Sequence, residues 1–177
     1  MEVGRLVRPF VLTLATLLLA ACTSVGGLPG ASPVAVCPVT LAFQVPPDEV
    51  IDWSLSVGHS GRTREQEREA TKAMNWAGGG GIWVVLPGDG LVTWGSTTNG
   101  SKFGLFVSGS GRVTATARRL DAPTPPGVAA DIGTPEEGYG PPGFIASDVT
   151  FPSGGCWEVT YRIASRSLTF VVDVERK

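Results

Sequence analysis

Histidine and cysteine are scarce in this chain, which has one histidine and three cysteines among 177 residues. A type 1 copper site needs two histidines and a cysteine, so a cupredoxin is excluded. The acidic residues lack the alternating spacing of a calcium-binding loop, and no Gly-x-Ser-x-Gly segment indicates a serine hydrolase. We interpret the single histidine, His59, as a surface-loop residue rather than a catalytic base beside Ser60. We therefore expect no metal, no small-molecule cofactor and no enzymatic activity.

The chain also lacks an excess of positive charge. It has 14 Lys and Arg against 16 Asp and Glu, which gives a net charge of −2. The basic residues form no cluster or stripe along the sequence. Because binding to a nucleic acid depends on many cationic contacts with phosphates, we expect no nucleic-acid partner.

A hydrophobic run long enough to span a membrane, about 20 residues, is missing. The apolar run Phe10–Leu19 has ten residues and follows Arg5 and Arg8, which is typical of a signal peptide. It leads into the sequence Leu-Ala-Ala-Cys at Cys22, which resembles the lipobox of bacterial lipoproteins. The resemblance implies a signal peptide at 1–21, cleavage before Cys22 and lipidation of the Cys22 thiol. The two alanines would also suit an ordinary signal peptidase.

Lipidation of Cys22 predicts a protein of the cell envelope, because two or three acyl chains hold a protein stably at a membrane. We expect it on the outer face of the cytoplasmic membrane, or on the outer membrane if the host has one. Residues 22–36 are uncharged and rich in Gly, Pro, Ser and Ala, which predicts a flexible tether. The remainder, 37–177, is long enough for one domain with its own core.

Two cysteines remain, Cys37 and Cys156. Outside the cytoplasm such a pair predicts a disulfide bond. The alternative is two independent buried thiols. We expect Trp157 to pack close to the disulfide, as tryptophans do in immunoglobulin sandwiches.

Short apolar segments separated by turn residues dominate the predicted domain, and 24 Gly and 14 Pro punctuate them. Several segments alternate apolar and polar side chains with the period of a β-strand. The pattern predicts an all-β, immunoglobulin-like antiparallel β-sandwich of seven or eight strands. The predicted strands are 38–45, 82–86, 91–94, 102–108, 112–120, 144–152, 156–163 and 167–174.

One pair of these strands is predicted to form a hairpin. The turn sequence Pro-Gly-Asp-Gly at 87–90 separates 82–86 from 91–94. A tight turn between two apolar runs is typical of a β-hairpin. We therefore expect Trp83 and Trp94 to lie across from each other.

The segments between the strands are less regular. Residues 64–74 are rich in good helix formers and predict either a short surface helix or a solvated loop. Four consecutive glycines at 78–81 predict a turn or a mobile loop. Residues 121–143 are rich in proline and have no periodicity, so they predict a long loop.

Three blocks of sequence resemble a family of small uncharacterised bacterial secreted proteins and lipoproteins. They are Gly-Ile-Trp-Val-Val-Leu-Pro at 81–87, Ala-Arg-Arg-Leu-Asp-Ala-Pro at 117–123 and Phe-Pro-Ser-Gly-Gly-Cys-Trp-Glu-Val-Thr at 151–160. The last block is the most specific, and Cys-Pro-Val-Thr at 37–40 often begins the mature domain of this family. The resemblance implies an immunoglobulin-like β fold and no established activity. Residues 102–106 depart from the family, since that strand is expected to be rich in tryptophan.

Aromatic residues are the first candidates for a binding surface, because five tryptophans are many for this length. We expect most of them to pack in the core or across strands. Trp53 and Trp76 flank the irregular region 48–80 and are the better candidates for exposure. Tyr139 and Phe144 lie at the end of the long loop and predict a rigid apolar tip.

Arg118 and Arg119 precede the 121–143 loop and are further candidates for binding. Neighbouring residues on a strand point to opposite faces, so one arginine is expected to pair within the domain. The alternative interpretation is an ion pair that holds the base of the loop.

We predict a lipid-anchored, non-enzymatic domain that binds a protein or a glycan of the envelope or the surroundings. The 121–143 loop is the expected contact surface, because binding residues concentrate on loops held by a rigid scaffold. One alternative is a carbohydrate-binding module for cell-wall or extracellular polysaccharide, with exposed coplanar tryptophans. The other is an inhibitor of an extracytoplasmic hydrolase or protease that inserts this loop into its target.

Overall fold

Two β-sheets packed face to face make up most of the structure, a computed structural model that describes residues 36–43, 45–58, 61–94, 100–126, 128–134 and 138–176. All of these residues belong to one unit, residues 35–177. The predicted signal peptide, Cys22 and His59 lie outside the described residues. None of the described helices is long and apolar enough to cross a bilayer.

Within the described residues the chain forms two helices and nine strands. The helices are α1 (Asp48–Val57) and α2 (Arg64–Thr71). The strands are β1 (Asn75–Gly79), β2 (Ile82–Leu86), β3 (Leu91–Trp94), β4 (Gly100–Val107), β5 (Val113–Arg119), β6 (Ala129–Ile132), β7 (Gly143–Thr150), β8 (Gly155–Ile163) and β9 (Arg166–Arg176). The first sheet has the order β1-β2-β4-β7-β6, and the second has the order β3-β9-β8-β5. The predicted all-β sandwich is confirmed.

The strand order is that of an immunoglobulin domain. An immunoglobulin sandwich has strands A, B, E and D in one sheet and C, F and G in the other. Here β2, β4, β7 and β6 lie side by side in the first sheet, and β5, β8 and β9 lie side by side in the second. In chain order these seven strands therefore take the places of A to G. Strand β1 is an addition at the β2 edge of the first sheet, and β3 is an addition at the β9 edge of the second. Helix α1 packs against residues of β1, β4 and β7 in the first sheet.

The predicted hairpin between β2 and β3 is wrong, because the two strands belong to different sheets. The turn itself forms, since Gly90 donates its N–H to the Pro87 carbonyl at 3.0 Å. However, β2 already has β1 and β4 as neighbours, and β3 runs parallel to β9. The chain thus crosses from one sheet to the other at this turn. Trp83 lies opposite Gly78 of β1 rather than opposite Trp94.

The glycine run makes a different hairpin, between β1 and β2. Gly80 and Gly81 have φ angles of +61° and +82° and form its two-residue turn, with Gly79 paired to Ile82. A positive φ at both central residues suits the right-handed twist of the flanking strands. The predicted turn is confirmed at these two glycines, whereas the first two glycines of the run belong to β1.

The core lies between the two sheets and is built from alternate residues of each strand. Strand β7 shows the pattern, with its odd-numbered residues buried and its even-numbered residues partly or largely exposed. Trp157 is fully buried and donates its Nε1–H to the Ser153 carbonyl at 3.1 Å. The predicted Cys37–Cys156 disulfide is confirmed, with Cα atoms 5.4 Å apart and a sequence separation of 119.

Residues 64–71 form a helix, which settles the choice between helix and loop in this region. The helix begins with a capping box. The Thr63 hydroxyl accepts the Gln66 N–H at 3.2 Å, and the Gln66 side chain accepts the Thr63 N–H at 2.8 Å. These reciprocal bonds satisfy two backbone donors that a helix start otherwise leaves free.

Residues 48–57 form helix α1, although we described this part of the sequence as irregular. Its buried stripe consists of Val50, Ile51 and Ser54, and it is too short to stand out in the sequence. The Ser54 hydroxyl donates to the Glu67 carboxylate at 2.6 Å, which joins α1 to α2. This contact depends on tertiary packing and not on the sequence of either helix.

Two other segments differ from the predicted strands and loops. The described part of 38–45 forms only one β-bridge, in which Phe43 and Trp76 exchange N–H···O bonds of 2.6 and 2.8 Å. The 121–143 segment contains β6, which pairs with β7 and so is not a loop throughout. The sequence Ala-Ala-Asp-Ile has weak β propensity, so the neighbouring strand rather than its own sequence makes it a strand.

Candidate functional site

An open groove of about 750 Å³ crosses the outer face of the first sheet. It runs over β4, β7 and β6 and is closed on one side by residues between β6 and β7. Its lining includes two small residues, three charged residues and one tyrosine, namely Gly104, Ala146, Lys102, Asp131, Asp148 and Tyr139. A concave surface with a few converging polar groups is the usual form of a binding site.

The groove exists because its floor carries small residues. Gly104 of β4 and Ala146 of β7 are direct cross-strand partners, and both are exposed. A Cβ added to Gly104 would meet only the Val85 and Phe144 side chains, at 3.4 Å or more. A larger side chain at this position would therefore be accommodated by the backbone and would fill the groove.

A row of three charged residues crosses the floor next to the small residues. The register pairs Lys102 of β4 with Asp148 of β7, and Asp148 in turn with Asp131 of β6. Direct cross-strand partners have Cβ atoms about 5 Å apart, so the three side chains form one polar band. The band holds two carboxylates and one ammonium group, which leaves a negative balance on this part of the floor.

One oxygen of this band has no partner. The Asp148 Oδ1 atom is buried and accepts no hydrogen bond from the described residues. A buried acceptor of this kind is normally paired with protein, water or a ligand. Burial and, to a smaller extent, the charge of Asp148 raise the pKa of Tyr161 to about 12.

An aromatic cluster closes one end of the groove. Trp53 of α1 contacts three rings edge to face, with centroids at 5.1 Å from Phe144, 5.5 Å from Tyr139 and 5.8 Å from Phe106. Tyr139 is 71% exposed and stands at the rim. The cluster thus packs against the sheet on one side and presents one accessible ring to the groove.

The aromatic residues predicted for a binding surface differ in how exposed their side chains are. Tyr139 is exposed and Phe144 is half-buried, and both line the groove. Trp53 is half-buried and supports Tyr139 from behind. The prediction of an exposed Trp76 is wrong, because its side chain is fully buried under α1 beside Phe144. The position of Trp76 beside an irregular segment of the sequence did not indicate that a helix covers it.

The two arginines lie on the second sheet, away from the groove. Arg118 donates to Glu158 of β8 at 2.9 Å. Arg119 donates to Asp121 at 2.6 Å and to the Ser153 hydroxyl at 3.0 Å. Its hydrogen bond, more than its charge, holds the pKa of the Asp121 carboxyl below its usual value. These contacts agree with the alternative interpretation, in which an arginine holds the base of the 121–143 segment.

Sequence reasoning missed the residues of the groove floor. Lys102, Asp131 and Asp148 are far apart in sequence and belong to no motif. The one available signal was Gly104 within an apolar strand, because an isolated glycine in a strand often indicates a bulge or a close approach. Among the described residues, no group of three or more His, Cys, Asp or Glu side chains is placed to hold a metal ion.

No family model, no curated protein and no solved structure matches this chain. The function must therefore be inferred from the groove and from the residues that line it.

Proposed function

We propose that this protein is a lipid-anchored, non-enzymatic binding domain of the cell envelope whose ligand is an oligosaccharide held in the groove over β4, β7 and β6. The observation that carries the proposal is the combination of the exposed Tyr139 ring with the buried, unpartnered Asp148 Oδ1 in one groove. A sugar has apolar C–H faces that pack on an aromatic ring and hydroxyl groups that hydrogen-bond to carboxylates. The groove offers the Tyr139 ring to the C–H face of a sugar and the Asp148 carboxylate to a hydroxyl group.

The charge of the floor selects among sugars. Two carboxylates and one lysine lie in the polar band, so a neutral or amino sugar is favoured over an acidic one. The hydroxyl donors of a neutral sugar would satisfy the Asp148 oxygen without bringing a second negative charge next to it.

The geometry favours this function over an inhibitor that inserts the 121–143 segment. Part of that segment is β6, whose backbone is paired with β7. Its base is held by Arg119, whose N–H donates to the Thr124 hydroxyl at 2.9 Å. The described part of the segment therefore contributes to the sheet and to the groove floor.

The proposal is tested with the full-length protein, extracted in detergent and applied to an array of neutral, amino and acidic oligosaccharides. Two variants address the groove. Tyr139→Ala removes the exposed ring, and Gly104→Leu fills the floor. Each is expected to raise the dissociation constant of a bound glycan by about tenfold or more, equivalent to roughly 1.4 kcal/mol. Thr116→Leu makes a comparable enlargement on an exposed position of β5 and serves as the matched control.

Three results would contradict the proposal in different ways. Equal binding of a glycan by all four proteins would place the sugar site outside the groove. Binding restricted to acidic sugars would contradict the charge argument. Capture of a protein instead of a glycan, lost in the same two groove variants, would leave the groove as the site and overturn the sugar as its ligand.

A further inference from the structure

A strip of exposed apolar side chains lies along the β1 edge of the first sheet. Leu41, Phe43 and Val45 are 74%, 61% and 67% exposed, and Met74 adds a fourth at 42%. We call these four residues the apolar strip. Ala42, between two of them, is partly buried against the core, so the exposed residues alternate with an inward-facing one as on a strand.

The strip is held in place by the fold. The backbone of Phe43 exchanges two hydrogen bonds with Trp76 of β1, and the Thr40 N–H donates to the Val171 carbonyl at 2.9 Å. The Thr40 hydroxyl also accepts the Val171 N–H at 2.8 Å. The exposed side chains are thus attached to both sheets, and they form a fixed surface rather than the end of a loose tail.

The segment that carries three of the four strip residues contains no charged side chain. From Cys22 to Pro47 there is no Asp, Glu, Lys or Arg. Exposed strand edges in water usually carry charged residues, which keep other chains from pairing with them. An uncharged segment with three exposed apolar side chains needs an apolar surface that covers it.

The proposed lipid anchor brings one such surface close to the strip. Val36, the first described residue, follows Cys22 by 14 residues. Even when fully extended, a chain of that length spans at most about 50 Å. The tether therefore keeps the strip within a few nanometres of the bilayer and raises its effective concentration there.

We propose that the apolar strip lies in the interfacial region of the membrane to which Cys22 is anchored. This inference rests on the lipid anchor of the proposed function. It also orients the domain, because β1 and β6 are opposite edges of the first sheet. Strand β7, under the groove, is three strands from β1, or about 14 Å at the usual strand spacing. The groove is thus raised above the membrane and open to a ligand outside it.

The test uses the full-length lipidated protein in vesicles of phosphatidylcholine and phosphatidylglycerol. A nitroxide is attached at Phe43→Cys, and in a second preparation at Thr114→Cys, an exposed position on β5 of the other sheet. Collision with oxygen, which concentrates in the bilayer, is compared with collision with a water-soluble nickel complex. At position 43 the ratio of oxygen to nickel accessibility is expected to be at least threefold higher than at position 114. Adding Leu41→Ser and Val45→Ser to the position-43 protein should lower the ratio towards that of position 114.

Mass spectrometry of the N-terminal peptide separates the two proposals. If Cys22 carries lipid and position 43 is as exposed to water as position 114, the membrane contact of the strip is overturned and the anchor stands. If Cys22 carries no lipid, the anchor is overturned, and the strip proposal that rests on it fails with it. A high ratio at position 43 on lipidated protein supports both.

Discussion

The indole of Trp53 packs edge to face on the ring of Tyr139, with centroids 5.5 Å apart and planes at 76°. This contact joins α1 to the rim of the groove. Trp53 also contacts Phe106 and Phe144, which lie on two strands of the first sheet. The position of the exposed Tyr139 ring therefore depends on a helix that is not itself part of the groove floor.

Trp53→Ala is expected to destabilise the protein by about 3 kcal/mol, because truncating a large aromatic side chain leaves a cavity among its neighbours. Urea unfolding followed by circular dichroism measures the change. Glu49→Ala, an exposed substitution on the same helix, is the control and should change stability by less than about 0.5 kcal/mol. A similar loss in both variants would mean that the helix and not the aromatic cluster is the sensitive element.

Reduction of the Cys37–Cys156 disulfide is expected to lower the free energy of unfolding by about 4 to 5 kcal/mol. The bond closes a loop of 119 residues, and a long loop is costly to close without a covalent link. Urea unfolding with and without a reductant gives the difference. Alkylation of the folded, unreduced protein should label neither cysteine, and labelling of both would show that the bond is absent.

The Arg119–Asp121 pair is expected to stabilise the folded protein at neutral pH and to lose this effect in acid. The hydrogen bond from Arg119 lowers the pKa of Asp121 in the folded protein. A carboxyl with a lowered folded pKa stabilises the fold above its unfolded pKa, about 3.9, and loses that contribution as the pH falls through the folded value. Because the pair is partly exposed, the contribution should not exceed about 1 kcal/mol.

The measurement is unfolding of the wild type and Asp121→Asn from pH 7 to pH 2. The two stability curves should converge as the pH falls below about 4. A constant difference over the whole range would show that the pair is maintained by geometry alone and that its charge contributes nothing.

Tyr161 is expected to resist ionisation until strongly alkaline pH. Burial raises its pKa to about 12, and its hydroxyl lies 2.5 Å from the Ser147 hydroxyl. A raised folded pKa means that the tyrosine stabilises the fold fully below pH 10, its unfolded value, and loses that contribution as the pH rises towards 12. The loss amounts to about 2 to 3 kcal/mol for a shift of two units.

Absorbance at 295 nm follows the tyrosines as the pH is raised, and subtracting the curve of Tyr161→Phe isolates this residue. The difference curve should rise near pH 12 or together with unfolding, whichever comes first. A rise near pH 10 in protein that is still folded would contradict the burial of the hydroxyl.

Local signals in the sequence predicted a large part of this fold. Alternating apolar residues correctly located strands such as β5, β8 and β9, because a half-buried strand needs one apolar face. The glycine pair at the β1–β2 turn and the Cys37–Cys156 bond were also predictable, since each depends on the chemistry of the residues themselves.

Which strands become neighbours was decided only by the tertiary structure. A turn sequence after β2 bends the chain equally well into a hairpin or across to the other sheet, and the occupied edges of β2 selected the second path. Trp76 is buried because α1 covers it, and Lys102, Asp131 and Asp148 meet because three strands pair in one register. Spacing along the chain determined the elements of this protein, whereas burial and the binding groove arose from contacts between residues far apart in sequence.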